Sequence, residues 1–421
     1  MEAWCCFRLL TTASVLLLLA GTGGIRPAGA TSAKLVASAP GVTPKTITIG
    51  FITSQTGIAS SSFFDSATGA RVRIDAQNAA GGVDGRKIKL IVVDDQSSPT
   101  QNNTAVNDLL SKGVFGVIEF SPLAFGGVKT LRQNDVPVTG GAFDGPEWGE
   151  QPYTNMFSYS GGIDPHEPAS TLYGVFLKSL GAHRVGGIAY GISPSSQDSI
   201  KDLKEAVQAE GLQMAYEDLS FPFGSVDTSV QVLAMKSAGV DAAVCSCVQS
   251  TNIALIVGAK QAGLNLKAEV SFSGADSSLF ENPTATKAAQ GAYFPTTIVP
   301  LDVNNPADRQ FVASMKRYDP SYRGGYPDYG LTGSYLSADL MIKGLELAGR
   351  NPTRQAFISR LQKVTNYDAG GLLPNDANFT HFGHLNKTGC SYFTKVVGTQ
   401  FVTINHKKPF CGKLIPHSDV A

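Results

Sequence analysis

From residue 46 onward the chain alternates short β-branched runs with stretches of helical period, and it goes through this alternation twice. ITIGFIT (47–53), KIKLIVVDD (87–95), GVFGVIEF (113–120) and DVPVTGG (135–141) read as strands, with helices over 65–79 and 100–112 between them. Strands separated by helices predict βαβ units, a parallel sheet and helices on both of its faces. After residue 159 the order restarts. Strands are predicted at 183–190, 212–219, 240–248 and 269–274, and helices at 168–180, 199–211, 228–239 and 251–263. The expected fold class is therefore α/β: two doubly wound parallel-sheet lobes joined by a multi-strand hinge.

The segment after 290 has a different character. Tyr and Pro are dense at 293–300 and 318–329, helices are expected at 306–317, 330–349 and 352–363, and 366–411 reads as loop and hairpin. It holds too few strands for a third sheet, so it is expected to complete the first two, with the chain crossing between them. The expected division is a signal peptide at 1–30, a flexible leader at 31–45, a first lobe of 46–158 plus 294–365, and a second of 159–293 plus 366–421. The leading segment has an apolar run over 11–20, too short to span a bilayer, and Ala28-Gly29-Ala30 as a cleavage site. Export is expected, with cleavage near Ala30.

Charge sets limits on partners. The 34 Lys+Arg balance 34 Asp+Glu with no basic block, which argues against nucleic-acid binding. Charged residues are only 16% and hydrophobic residues 43%, enough apolar material for real cores. Of the four cysteines beyond the leader, Cys390 and Cys411 flank an alternating stretch with a Gly398-Thr399 turn, and a disulfide between them is expected. Cys245 and Cys247 lie in one apolar strand (AAVCSCV) and are expected to be buried thiols.

The order and spacing of several short motifs carry a family resemblance. They are I-x-I-G at 47–50, T-G at 56–57, G-A at 69–70, N-A-A-G-G-V-x-G-R-K-I at 78–88 and D-D-Q-S at 94–97. V-P-V at 136–138, Q-A-G-L at 261–264 and G-x-D-S at 274–277 continue the series. The chain resembles the type I periplasmic binding proteins of ABC importers, in the subfamily named for leucine/isoleucine/valine-binding proteins. The resemblance implies a protein that closes two lobes on a small solute, delivers it to a membrane permease and performs no chemistry. A monomer is expected, with no catalytic residue, cofactor or metal.

The resemblance also suggests site residues. Amino-acid binders of the family hold the ligand carboxylate with loops after the third and fourth strands of the first lobe. Ser121, Ala142 and Asp144 fall nearest those positions. The chain departs from the pattern there, with Pro122, Leu123, Ala124 and Phe125 in place of a Ser/Thr-rich run. An Asp at 144 would repel a carboxylate, so an amine, amide or neutral solute stays open beside an amino acid. In the second lobe Ser195 and Ser196 stand where relatives place an aromatic, Gln249 is either cleft-facing or solvent-facing, and Asp276 is expected to hold an ammonium or to cap the helix at 277–281. Phe63 and Phe64 are candidates for an aromatic lid, with core packing as the other role.

Several function classes find no support in the motifs. The first strand is not followed by G-x-G-x-x-G, and Walker A, G-x-S-x-G and H-E-x-x-H patterns are missing. Asp94-Asp95 reads as turn and capping chemistry. A signalling module that presents ligand to a sensor partner remains the alternative to transport, and a secreted hydrolase lacks a recognisable nucleophile–base pair.

Overall fold

The computed structural model describes residues 34–141, 145–149, 151–161, 169–273, 275, 277–381, 384–385 and 389–415. In the first lobe β1 (Thr46–Thr53) leads through α1 (Ser60–Phe63) and α2 (Ser66–Ala79) to β2 (Lys87–Asp94). Then come α3 (Pro99–Ser111), β3 (Gly116–Phe120), α4 (Val128–Gln133), β4 (Val138–Gly140) and β5 (Met156–Ser158). The second lobe runs α5 (Leu172–Ser179), β6 (Arg184–Tyr190), α6 (Pro194–Ala209), β7 (Gln213–Phe221) and α7 (Ser229–Ser237). It continues with β8 (Ala242–Ser246), α8 (Gln249–Gln261), β9 (Ala268–Ser271), α9 (Pro283–Ala288) and β10 (Tyr293–Pro295). The chain returns to the first lobe as α10 (Pro306–Tyr318), α11 (Tyr329–Ala348) and α12 (Arg354–Leu361).

The last part holds two short strands, β11 (Ala377–Asn378) and β12 (His384–Leu385), which pair with each other. After them come β13 (Cys390–Ser391), β14 (Phe393–Val397), β15 (Gln400–Thr403) and β16 (Phe410–Cys411).

The first sheet has the order β2-β1-β3-β4-β5 and is parallel throughout. The second repeats that order as β7-β6-β8-β9-β10 and gains the antiparallel hairpin β14–β15 beyond β10. In each sheet the strand order reverses beside the first strand of the lobe, at β1/β3 and at β6/β8. Ligands of open α/β sheets bind beyond the carboxyl ends of strands at such a switch point. The chain passes between the sheets after β5, after β10 and after the β11–β12 pair.

Three expectations about organisation change. Residues 35–45 are not a loose leader. Arg86, fully buried, donates from Nε to the Thr43 carbonyl (2.7 Å), from Nη2 to the Val36 carbonyl (3.0 Å) and from Nη1 to the Arg350 carbonyl. An arginine out of solvent needs acceptors for its fork of donors, and the leading segment supplies two of them. Residues 366–379 also belong with the first lobe: the Tyr367 hydroxyl donates to Asp339 Oδ2 on α11 (2.7 Å), and Phe379 packs edge-on to Phe157 at 5.6 Å. Residues 294–295, conversely, are strand residues of the second sheet.

The cysteines divide differently from expectation as well. Cys390 lies opposite Cys411 in the β13–β16 pair, and the two are bonded across a Cα separation of 4.1 Å. Cys245 and Cys247 are bonded to each other rather than left as thiols. β8 ends at Ser246 and the chain bends there, bringing the two Cα atoms to 5.3 Å, within disulfide range.

Candidate functional site

The floor of the first lobe's switch point is a buried polar network. Asp95, just after β2, accepts from Ser54 Oγ (2.7 Å), from the Ser97 amide (3.0 Å), from Asn102 Nδ2 (3.1 Å) and from Ser121 Oγ. Asn102 Nδ2 also donates to Glu119 Oε1 at 3.1 Å. Burial pushes the Glu119 carboxyl well above the usual range, and the neighbouring Asp95 and Glu147 carboxylates add to the effect. Asp94 caps the preceding turn, accepting from Thr56 Oγ1 (2.6 Å) and the Gln96 amide (2.9 Å). The Asp94-Asp95 pair is thus loop-holding chemistry, while the cap of α3 itself is Ser98.

Ser121 and Ser196 are engaged within their own lobes. Ser121 is fully buried, and its hydroxyl is shared among Asp95, Ser54 and the Leu123 amide (3.1 Å). Ser196 accepts from the Tyr190 amide (2.9 Å) and donates to the Ser246 carbonyl (2.6 Å). Both hydroxyls tie strand ends together. Ser195 and Ser196 also sit in the first turn of α6 rather than on a loop. Ser193 caps that helix with Pro194 behind it, so it starts at 194 instead of 199.

Phe63 is 2% exposed and packs on Phe120 (5.5 Å) and edge-on to Tyr329 (6.0 Å). Phe64 is solvent-exposed. Gln249 is buried at the junction of the lobes, not solvent-facing, and its amide donates to Ser62 Oγ at 2.9 Å. Ala142, Asp144 and Asp276 lie outside the described residues.

A small cavity of about 10 Å³, room for about one water molecule, lies where the lobes meet the crossing segment. The second-lobe side contributes Phe272, Ala275 and Pro295, and the crossing segment adds Thr297 and Ile298. Tyr326, whose ring packs on Phe401 of β15, and Pro327 lead into α11, and Tyr329 and Thr332 of α11 complete the lining from the first lobe. The lining is aromatic and aliphatic with two threonines, and none of these residues carries a charge. Burial pushes the Tyr326 phenol well above its ordinary pKa. Its hydroxyl and Thr296 Oγ1 are each buried without a hydrogen-bond partner among the described residues, although Thr296 is close enough to pull the phenol pKa back down.

Among the described residues, none proposed from the sequence as a ligand contact lines this cavity. Pro295, Thr297, Ile298, Tyr326, Pro327 and Tyr329 come from the two Tyr/Pro-dense stretches, 293–300 and 318–329, and Thr332 from just beyond the second, while Phe272 and Ala275 follow β9. That density is the signal the sequence offered. It marks places where the chain turns between lobes and packs rings against a cavity instead of against a sheet.

Comparison with known proteins agrees with this architecture. The family model described as periplasmic binding protein matches residues 46–400. A Leu/Ile/Val-binding protein homolog from Brucella melitensis is 27% identical over 201 residues, 46% of this chain and 52% of the relative. That match therefore spans about half of the curated relative's length.

Among solved structures, a fatty acid ABC transporter substrate-binding protein from Thermomonospora curvata superposes with a TM-score of 0.74 at 21% identity, over 89% of this chain and 94% of its own. A leucine-binding protein from Thermotoga maritima gives 0.71 at 20% identity, over 85% and 97%. A solute-binding protein of an R. palustris ABC transporter, solved with benzoate, gives 0.71 at 15% identity, over 89% and 98%. With two lobes of identical strand order, a cavity where they join and a family match over most of its length, the chain belongs to the type I periplasmic binding proteins of the leucine/isoleucine/valine-binding family.

Proposed function

We propose that this protein is the extracytoplasmic substrate-binding component of an ABC importer. It takes a small solute between its lobes and presents the closed form to a membrane permease. The observation that carries this is the pair of parallel sheets with one strand order, whose junction is lined from both lobes and from the segment crossing between them. A solute there touches both bodies, and contacts that exist only when the lobes are together favour closure.

The lining also speaks to the solute. Phe272, Pro295, Ile298, Pro327 and Tyr329 suit an apolar group, while Thr297, Thr332 and the Tyr326 hydroxyl offer hydrogen bonds. The proposed ligand is a small molecule with an apolar body and one polar end: a branched-chain or aromatic amino acid, its amide, or an apolar carboxylic acid. Relatives named for leucine, benzoate and fatty acids share that description.

The test is thermal unfolding of the exported chain, followed through Trp148, which is 1% exposed. The panel holds leucine, phenylalanine, their amides, benzoate, short fatty acids, polyamines and sugars. A solute at 100 times its Kd stabilises by about 2.7 kcal/mol and raises the midpoint by several degrees. A hit among the apolar solutes is expected. A hit only among polyamines or sugars would overturn the assignment of the solute, and silence from the whole panel would remove the support for solute capture.

A further inference from the structure

The helix that opens the second lobe's switch point is capped by the first lobe. α8 begins at Gln249 with Val248 at its N-cap, a residue with no side-chain oxygen, and no side-chain cap forms there. The helices α3, α6, α9, α10 and α12 each have a capping side chain from their own N-cap residue, namely Ser98, Ser193, Asn282, Asn305 and Thr353. The first N–H groups of a helix have no partner within it and need one from outside.

In α8 those partners come from across the cleft. The Gln249 amide donates to Ser62 Oγ at 2.9 Å and the Ser250 amide to Ser61 Oγ at 3.3 Å. Ser61 Oγ also donates to Ser250 Oγ at 3.3 Å. The amide of Val248 itself is held within its own lobe by the Tyr190 hydroxyl (3.2 Å).

Both serines lie on α1, which Phe63 anchors to the first lobe through Phe120 and Tyr329. The junction is dry at its centre, with Ser62 and Gln249 each 4% exposed. Nearby, Ile58 of the first lobe lies close against Gly224 of the second. A Cβ at Gly224 would fall 2.9 Å from Ile58 Cβ, and its φ of +68° also favours glycine. Tyr329 lines the cavity and meets Phe63, the residue after Ser62. A filled cavity and the serine cap therefore share a neighbour.

We propose that Ser61 and Ser62 are positioning residues for lobe closure. They cap α8 in trans only when the lobes are together, and so set the balance between open and closed forms and the apparent affinity of the cleft. This rests on the solute-binding function proposed above. When the lobes part, water replaces the serines at the α8 amides, and the buried hydrogen bonds that favoured closure are lost. A helix with a cap in its own sequence would be indifferent to the separation.

The test uses the Ser61→Ala/Ser62→Ala protein, the milder Ser61→Ala protein, and Ser60→Ala as a control on the same helix. Two readouts are taken: the radius of gyration by small-angle X-ray scattering without solute, and Kd by calorimetry for whichever panel solute raises the wild-type midpoint. The double variant is expected to have a larger radius of gyration than wild type and about 5- to 30-fold weaker binding. Ser61→Ala should shift both in the same direction by less, and Ser60→Ala should shift neither. Unchanged values on both readouts in the double variant would overturn the proposal. Equal shifts from Ser60→Ala would also overturn it, because the effect would then belong to α1 as a whole. If the double variant does not fold, Ser61→Ala decides on the same two readouts. If wild type binds no panel solute, solute capture fails on its own, while the scattering comparison still judges the cap.

Discussion

At the scale of single residues, buried acids show how position overrides composition. Glu269 lies on β9 at 7% exposure, with Oε1 buried and without a hydrogen-bond partner among the described residues. Burial pushes its pKa up to about 8, and Lys260 offsets only part of that. The sign of the consequence follows from linkage. Below pH 4.5 the carboxyl is protonated in both folded and unfolded chains. Between 4.5 and about 8 the unfolded chain ionises while the folded chain keeps its proton, so stability falls as pH rises through that window. Above it the loss is complete. Glu269→Gln keeps the shape and removes the ionisation. Urea unfolding should show a gain on the order of 2–5 kcal/mol at pH 8 and little change at pH 4. An equal gain at both pH values would place the effect in packing instead. Ser121 and Ser196 teach a related lesson. Both were legible as hydroxyls beside strand ends, but only the fold shows that each is already engaged within its own lobe.

At the scale of elements, helix packing decides a question that helix propensity answers the other way. Gly69 sits inside α2 (Ser66–Ala79), where exchanging Gly for Ala in an isolated helix would stabilise by about 1 kcal/mol. Here a Cβ at Gly69 would fall 2.0 Å from the Leu331 carbonyl and 2.4 Å from Ser334 Oγ, both on α11. The two helices approach so closely that the backbone of one occupies the place of a side chain on the other. Overpacking of a rigid contact costs about 1–3 kcal/mol and outweighs the propensity gain. Gly69→Ala should therefore lower the urea midpoint, and a raised midpoint would show that α2 and α11 can move apart freely. The Gly69-Ala70 pair was visible as a motif. Its reason was not, because Leu331 lies more than 250 residues along the chain.

The same scale explains where element limits shifted. The helix expected at 199 starts at Pro194, because Ser193 and Pro194 form a cap-and-N1 pair ahead of the apolar periodicity. That shift alone moves Ser195 and Ser196 from a ligand loop into a helical turn. β5 and β10 are three residues each, too short to show a period, and become strands only by pairing with β4 and β9.

At the scale of the whole molecule, the Cys390–Cys411 bond closes a loop with a sequence separation of 21, which carries the β14–β15 hairpin of the second sheet. Closing a loop of that length stabilises by about 3 kcal/mol in the chain-entropy account. Cys390→Ser/Cys411→Ser should lose that much in equilibrium unfolding and keep the far-ultraviolet circular dichroism of the wild type. A loss below about 0.5 kcal/mol would mean that β13 and β16 stay paired without the bond.

What the residues determined alone was local and periodic. The two windings of strand and helix, the turn glycines and the hairpin at Gly398 follow from side-chain period and backbone freedom within a few residues. The family motifs follow because they lie along those same elements. Tertiary structure alone decided the contacts between distant segments. Residues 35–45 dock on a buried Arg86, a bend after β8 brings Cys245 to Cys247, and the cavity collects Phe272, Tyr326 and Tyr329 from opposite sides of a crossing. The α8 amides find their acceptors on the other lobe. Polar groups leaving solvent must be satisfied wherever an acceptor happens to be, and that place is set by how the two lobes fold together, not by neighbours in the chain.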